Sequence, residues 1–282
     1  VRQRGADLLR TATTARDRIR RKLAMQEKDY AATQNRDQLR IYGDLITANL
    51  YRMERGAARL ETENFYDPEC RPVAIPLDPL LTPQQNAAKY YKRYTKAKTA
   101  EKYLAEQMAL ARRDLDYLES VLEELSRAET EQDFLDIRGE LRDAGFLRRQ
   151  GKKEQNRPAK PLEFRTTSGF RVLVGRNNRQ NDKLTRSADH RDIWLHTQKI
   201  HGSHVILWLE GGEADAQSLT EAAILAATFS QAGEGSRVPV DYTPVKYVKK
   251  PAGARPGMVV YTTYQTAVVD PDPELAKRLR VK

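Results

Sequence analysis

One cysteine, Cys70, stands in a chain of 282 residues. No internal disulfide can form from it, and no cysteine-based zinc site can be assembled, so a reducing compartment, the cytoplasm, is the expected setting. The sequence has no apolar run of about 18 residues, and its first residues are charged rather than signal-like, so neither a membrane span nor a secretion signal is expected. Val1 in the first position reads as a fragment or a processed chain. Aromatic residues are scarce, at 7% against 31% charged. That balance suits a solvent-exposed helical arm joined to a compact part better than an even globule. The charge is one-sided, with 49 Lys and Arg against 39 Asp and Glu and a pI near 9.6. An anionic partner is expected, and nucleic acid or an acidic membrane surface would each satisfy it.

Proline is missing from residues 1–38, where Leu8, Ala12, Ala15, Ile19, Leu23 and Tyr30 lay out the stripe of a long amphipathic helix. Residues 1–40 carry 11 Lys and Arg against 5 Asp and Glu, so the other faces are basic. A second helix is clearer. Leu104, Met108, Ala111, Leu115, Leu118, Leu122 and Leu125 alternate steps of four and three, and Tyr90, Tyr94, Ala97 and Glu101 extend the series backwards. This is a coiled-coil seam with Glu101 as its flaw. Two such helices flanking an insertion predict an antiparallel hairpin whose arms, at ~1.5 Å per residue, reach on the order of 60 Å. A parallel dimeric coil is the alternative. Residues 39–60 read as further helix, and residues 64–68 and 73–79, cut by prolines, read as extended pieces of a small tip subdomain. Thr82, Pro83 and Gln85 supply an N-cap, an N1 proline and a capping-box residue for the returning helix. Tyr90, Tyr91 and Tyr94, interleaved with basic residues, either stack on bases or pack the tip onto the hairpin, and packing is the preferred reading.

Residues 131–141 predict one more short helix, ending at Gly145-Phe146. The charged, apolar-poor stretch 148–161 is a linker between a coiled-coil and tip region, 1–147, and a C-terminal domain, 162–282. That domain reads as α+β with a mostly antiparallel sheet. Residues 162–167 and 170–174 make a hairpin around Ser168-Gly169, and residues 175–185 a turn and short helix. Ser218 to Glu221 reads as the capping box of an alanine-rich helix stopping at Gly233, residues 238–249 as a strand, and residues 258–262 with 266–269 as a last hairpin.

Chemistry-bearing residues concentrate in one stretch. Asp192-Ile193-Trp194-Leu195-His196 and His204-Val205-Ile206 read as buried strands interrupted at Gly202-Ser203, with Trp194 and His196 on a common face. All four histidines lie in or beside it. His196, His201 and His204 with Asp192 are metal-ligand types, and Asp192 could orient His196 as a general base, so a histidine- or metal-dependent hydrolase acting on nucleic acid is one reading. No recognised zinc spacing, HExxH motif, serine elbow or catalytic cysteine accompanies them. A non-enzymatic role without metal or cofactor is therefore expected, with Asp192, Trp194, His196, Gly202, Ser203 and His204 forming a hydrogen-bonded signature core. Two basic clusters flank it. Residues 157–191 hold 9 Lys and Arg against 3 Asp and Glu. Arg176, Asn177, Asn178, Arg179, Asn181 and Lys183, with Lys246, Lys249, Lys250 and Arg255, form the expected RNA-binding set, cations for phosphates and amides for sugars or bases.

The run Gly175-Arg176-Asn177-Asn178-Arg179-Gln180-Asn181-Asp182-Lys183-Leu184-Thr185, followed by Asp192-Ile193-Trp194-Leu195-His196, Gly202-Ser203-His204-Val205-Ile206, Asp241-Tyr242-Thr243 and residues 249–257, closely resembles the NFACT-R domain of the family that includes RqcH, NEMF and fibronectin-binding protein A. Residues 41–50 and 75–79 resemble that family's coiled-coil and middle region. The resemblance implies a ribosome-associated quality-control factor that binds the large ribosomal subunit, through rRNA and stalk-base proteins, and tRNA. It also implies that such a factor supports C-terminal alanine tailing of stalled nascent chains, with the ribosome performing the peptidyl transfer. A fibronectin- or fibrinogen-binding surface adhesin is the competing class that the family's naming implies.

Overall fold

The computed structural model describes residues 2–148 and 157–281, with side chains from residue 5 onward; residues 149–156 of the expected linker lie outside the described residues. Contacts gather the chain into two compact units, Arg20–Arg112 and Val1–Ile19 with Arg113–Lys282. The long helices α1 (Arg2–Thr33) and α3 (Pro83–Arg127) contribute to both.

In the Arg20–Arg112 unit these helices run antiparallel. Glu27 meets Arg112 at 3.0 Å, and Arg36 at the start of α2 (Arg36–Ala48) meets Glu101. The seam's flaw is thus a half-buried ion pair. The helix expected over 39–60 stops at Ala48. A 3-10 turn, Leu50–Arg52, follows, and then an antiparallel hairpin, β1 (Arg59–Glu63) and β2 (Pro72–Pro76), so residues 64–68 form its turn rather than an extended piece. The alternation that places Leu60 and Ile75 on one face and buries them together overrides the helical spacing. Thr82 begins α3 as its spacing predicts: its N–H donates to Gln85 Oε1 (2.8 Å) and its Oγ1 accepts from the Gln85 N–H (3.2 Å). The tyrosines pack the small sheet. The Tyr90 hydroxyl donates to the Pro76 carbonyl and the Tyr91 hydroxyl to Asp44.

In the other unit, Leu8 and Ala12 of α1 pack on Tyr117, Leu118, Val121 and Leu125 of α3 and on Ile137 and Leu141 of α4 (Glu131–Asp143). The α4 N-terminus carries a capping box of Thr130 and Asp133. A six-stranded antiparallel sheet follows, ordered β3 (Leu162–Arg165), β4 (Arg171–Val174), β6 (Val205–Trp208), β5 (Ile193–Thr197), β7 (Val238–Pro244), β8 (Gln265–Val269). Strand alternation sends Val172, Val174, Leu195 and Val205 against α6 (Ala216–Thr228), whose alanines Ala222, Ala223, Ala226 and Ala227 let helix and sheet approach closely. It sends Leu173, Trp194 and Ile206 to the opposite face, against Leu184 of α5 (Asn178–Ser187) and Val245.

Three expectations change here. Asp215, not Ser218, caps α6, because its carboxylate accepts the Ser218 N–H at 2.6 Å, and the helix ends at Thr228 well before Gly233. The strand expected over 238–249 bends at Pro244 into a 3-10 turn, Val245–Tyr247. The last hairpin does not form: β8 pairs with β7, leaving residues 258–262 as an irregular segment joined to Lys249 through Val260. A short terminal helix, α7 (Pro273–Leu279), capped by Asp272, was not expected.

Leu118 is fully buried, whereas Leu110 on the same helix is 45% exposed. Leu118→Ala should therefore cost about 2–5 kcal/mol in denaturant unfolding and Leu110→Ala under about 0.5 kcal/mol. Equal costs would mean that the α3 core face is misassigned.

Candidate nucleic-acid interface

The first turn of α5 is the pivot of the candidate site. Its leading N–H groups have no partners within the helix and carry partial positive charge. Asn177 supplies the N-cap, its side-chain oxygen accepting the Gln180 N–H at 2.9 Å. Two carboxylates from the helices receive the next groups: the Asn178 N–H reaches Glu124, and the Arg179 N–H donates to Glu140 (3.3 Å). Glu140 also accepts from the Tyr117 hydroxyl (2.9 Å) and the Asn178 amide (3.2 Å). Burial pushes the Glu124 carboxyl well above its usual range, and the neighbouring Glu140 charge pushes it further. Burial also raises Glu140, opposed by the hydrogen bonds from Tyr117, Asn178 and Arg179.

Around this pivot the basic residues expected to meet RNA hold the unit together. Arg176 donates to both Asp133 oxygens (3.0 and 3.1 Å). Arg179 pairs with Asp143, and Lys250 with Asp182 (2.9 Å). Arg255 donates to Asp114 (2.9 Å) and to the Ala144 carbonyl (3.1 Å), with its guanidinium over the Tyr117 and Phe146 rings. Asn177, Asn178 and Asn181 are no more than 4% exposed. The assignment of these three amides to an RNA-facing surface is therefore corrected: they are committed to capping and to loop positions. Gly175 and Gly257 serve the same packing, since a Cβ would lie 1.9 Å from Asn181 Oδ1 in the first and 2.1 Å from Asn178 Oδ1 in the second.

Lys183, Lys246 and Lys249 differ. All three are exposed. Among the described residues, Lys183 and Lys249 have no side-chain ion pair, and Lys246 lies 5.0 Å from the Tyr247 ring centroid. Arg186, also exposed, follows Lys183 by three positions on α5 and shares its face, a spacing that would have placed it in the basic set from sequence. The packing of Leu184 with Val245 and the pairing of Asp182 with Lys250 bring α5 and the segment after β7 to one side of the sheet.

The signature residues line the neighbouring space. Buried Asp192 accepts the Leu209 and Asp189 N–H groups (both 2.9 Å), tying the start of β5 to the end of β6. The Ser203 hydroxyl donates to the Gly175 carbonyl (2.6 Å) and accepts from Arg127 (2.8 Å). Trp194 and His196 lie nearly parallel, with ring centres 5.7 Å apart and 9° between planes, and His204 stands edge-on to both. Burial depresses the His204 pKa well below its usual value, and its Nε2 meets the Gly257 carbonyl (3.1 Å) and its Nδ1 the Thr185 hydroxyl (2.9 Å). Burial lowers His196 as well, and its Nδ1 meets the Thr197 carbonyl at 2.7 Å. With Tyr261, whose hydroxyl donates to Asp241 (2.8 Å), these rings border a cleft of about 310 Å³. Among the described residues no group of three or more His, Cys, Asp or Glu could hold a metal ion. No helix among them is long and apolar enough to cross a membrane.

Residues 1–160 match the NFACT N-terminal and middle domains, and residues 160–262 match the NFACT protein RNA binding domain. The chain belongs to the NFACT family. Among its NFACT relatives, the Rqc2 homolog RqcH of Bacillus subtilis (strain 168) is 41% identical over 286 residues, covering 99% of this chain and 50% of that protein. The Rqc2 homolog RqcH of Streptococcus pneumoniae serotype 2 is 38% identical over 274 residues, 96% of this chain and 49% of the relative. This NFACT chain thus spans about half the length of the curated relatives it matches. A solved structure, the C-terminal part of the fibronectin/fibrinogen-binding protein from Streptococcus suis, superposes with a TM-score of 0.79 at 29% identity, covering 99% of this chain and 98% of the other.

Because the Glu124 carboxyl is raised in the fold, the stability it contributes is present below its ordinary value of 4.5 and falls away as pH rises toward the folded value. Glu124→Gln, which fixes the neutral form, should raise the melting temperature at pH 8, with the gain fading as pH approaches 4.5. A gain independent of pH, or a lower melting temperature at pH 8, would contradict this.

Proposed function

We propose that this chain is part of a ribosome-associated quality-control factor and that its sheet domain binds RNA of the large ribosomal subunit and tRNA. In the whole factor this binding supports alanine tailing of stalled nascent chains in the cytoplasm, with peptidyl transfer left to the ribosome. One observation carries the reading: Lys183, Arg186, Lys246 and Lys249 are exposed on one side of a domain that matches an RNA-binding family, while the neighbouring Arg176, Arg179, Lys250 and Arg255 are consumed by internal carboxylates. Cations with no internal partner are the ones available to displace counterions from phosphates. Tyr247, 40% exposed beside Lys246, adds a ring face for a base. The domains read from sequence, a coiled-coil and tip region over 1–147 and an RNA-binding domain over 162–282, remain the proposed functional division. A second reading, fibronectin binding, takes its support from the name of the similar streptococcal protein. It predicts a protein-specific interaction that survives salt.

Replacing Lys183, Lys246 and Lys249 together by Glu should weaken binding to purified tRNA and large-subunit rRNA. The slope of log affinity against log salt should become shallower by about 0.7–0.9 for each phosphate that the protein no longer neutralises. Unchanged affinity and slope would remove this surface from RNA binding. Fibronectin binding that resists high salt and is not matched by other acidic proteins would favour the second reading.

A further inference from the structure

The cleft beside the signature strands has a more specific character than a basic surface. Its walls are aromatic, and they are fixed from behind. Trp194 is fully buried and backs the half-buried His196 ring in nearly parallel orientation. Tyr261 packs 4.7 Å from Trp194, is pinned through its hydroxyl to Asp241, and carries the exposed Tyr264 edge-on at 5.2 Å. Asp241 is itself held by Thr266 (2.7 Å) and Gln198 (3.3 Å), so the Tyr261 ring does not depend on a ligand for its position. Met258 and Pro256 add apolar surface from the irregular segment after β7.

The polar lining discriminates among ligands. His204 uses both ring nitrogens internally, and the one carboxylate on the lining, Asp116, faces His201 at 3.4 Å, so nothing there is arranged for a cation. Lys199 is exposed at the rim. The Trp194 indole N–H, on the cleft lining, is buried with no acceptor among the described residues; Arg113 Nε, Glu124 Oε2 and the Trp208 indole N–H of the same unit are likewise buried without a partner. A volume of about 310 Å³ sits at the low end of the roughly 300–1,000 Å³ of small-molecule sites. It accommodates one flat ring system and excludes a base pair. Flat rings with polar edges on an anionic backbone are nucleobases, and only unpaired ones can leave a strand to enter such a space.

We propose that the cleft bordered by His196, Met258 and Tyr261 receives a single unpaired nucleobase of the bound RNA, stacked on the His196 and Tyr261 rings while the strand's phosphates run toward Lys199 and the exposed lysines. This deepens the RNA-binding reading and rests on it. The stacked base selects unpaired positions within RNA that the lysines hold without regard to sequence.

The test compares a six-nucleotide adenosine RNA with the same ribose-phosphate strand lacking bases, using the 282-residue chain. The intact strand should bind about 5- to 150-fold more tightly, the range given by about 1–3 kcal/mol for one stacked base. Met258→Trp, which fills the cleft, should reduce that ratio while leaving the salt slope unchanged. The Trp194 indole resonance should move on adding the intact strand and stay in place with the base-free one, which supplies a readout even if Met258→Trp unfolds. Equal binding of both strands, with the usual salt dependence and a stationary indole signal, overturns the cleft assignment and leaves the RNA-binding reading standing. Failure of both strands to bind overturns both readings. A folded Met258→Trp protein that keeps the full ratio places the stacked base elsewhere and likewise overturns the cleft assignment.

Discussion

The junction between the first turn of α5 and the buried carboxylates Glu124 and Glu140 is the constraint on which the sheet-containing unit depends. A helix N-terminus removed from water needs acceptors, and a carboxyl removed from water needs donors or a proton. Glu140 and the helix N-terminus meet each other's need, with Tyr117 and Asn178 completing the set around Glu140, while Glu124 keeps one buried oxygen without a partner among the described residues and its carboxyl is pushed well up. The geometry in turn fixes where Asn181, Asp182 and Lys183 fall along α5, and so decides which cations remain outside. Arg176, Asp133 and the capping box of α4 form a second tie of the same kind. Burial pushes the Asp133 carboxyl up, but Thr130 and Arg176 outweigh it and hold the group below the usual carboxylate range.

The two faces of the sheet follow different rules. Against α6 the packing is alanine on branched aliphatics, with the polar groups at the helix start sealed by Asp215 and by the bond of Glu221 to Thr167. The other face carries the rings and histidines, and there the indole N–H groups of Trp194 and Trp208 are buried without a partner among the described residues. His204, locked between Thr185 and Gly257, is a strut joining α5 to the segment after β7. Lys183, Lys246 and Lys249, near that strut, are exposed.

Local signals in the sequence carried far. The alternation of four and three along α3, the Thr82–Gln85 cap and the pairing of β5 with β6 were readable because each depends on residues close in sequence or on a strict period. The end of α2 was not readable, since Leu60 fits a helical stripe and a strand equally well and only its register opposite Ile75 decides. The missing hairpin over 258–269 failed for a similar reason: β8 finds its partner in β7 across the intervening loop, a choice made by the sheet. The basic cluster was legible as charge but not as surface. Nothing in Arg176, Arg179 or Arg255 distinguishes them from Lys183 or Lys249 until Asp133, Asp143 and Asp114 arrive from distant helices. Three arginines and Lys250 took the internal roles, while Lys183, Lys246, Lys249 and Arg186 stayed exposed.

The sheet-containing unit is drawn from both ends of the chain, with Leu8 and Ala12 completing a core otherwise made after residue 113. During synthesis, then, the opening helix presents an apolar stripe long before its partners Tyr117, Leu118 and Val121 exist. Closing that core carries the entropy of a long loop, and the antiparallel pairing within residues 59–76 shortens the loop wherever it is already formed. The loop that must close is thereby set by the order of the chain: the more compact the intervening segment, the smaller the entropy of joining the two parts of the unit.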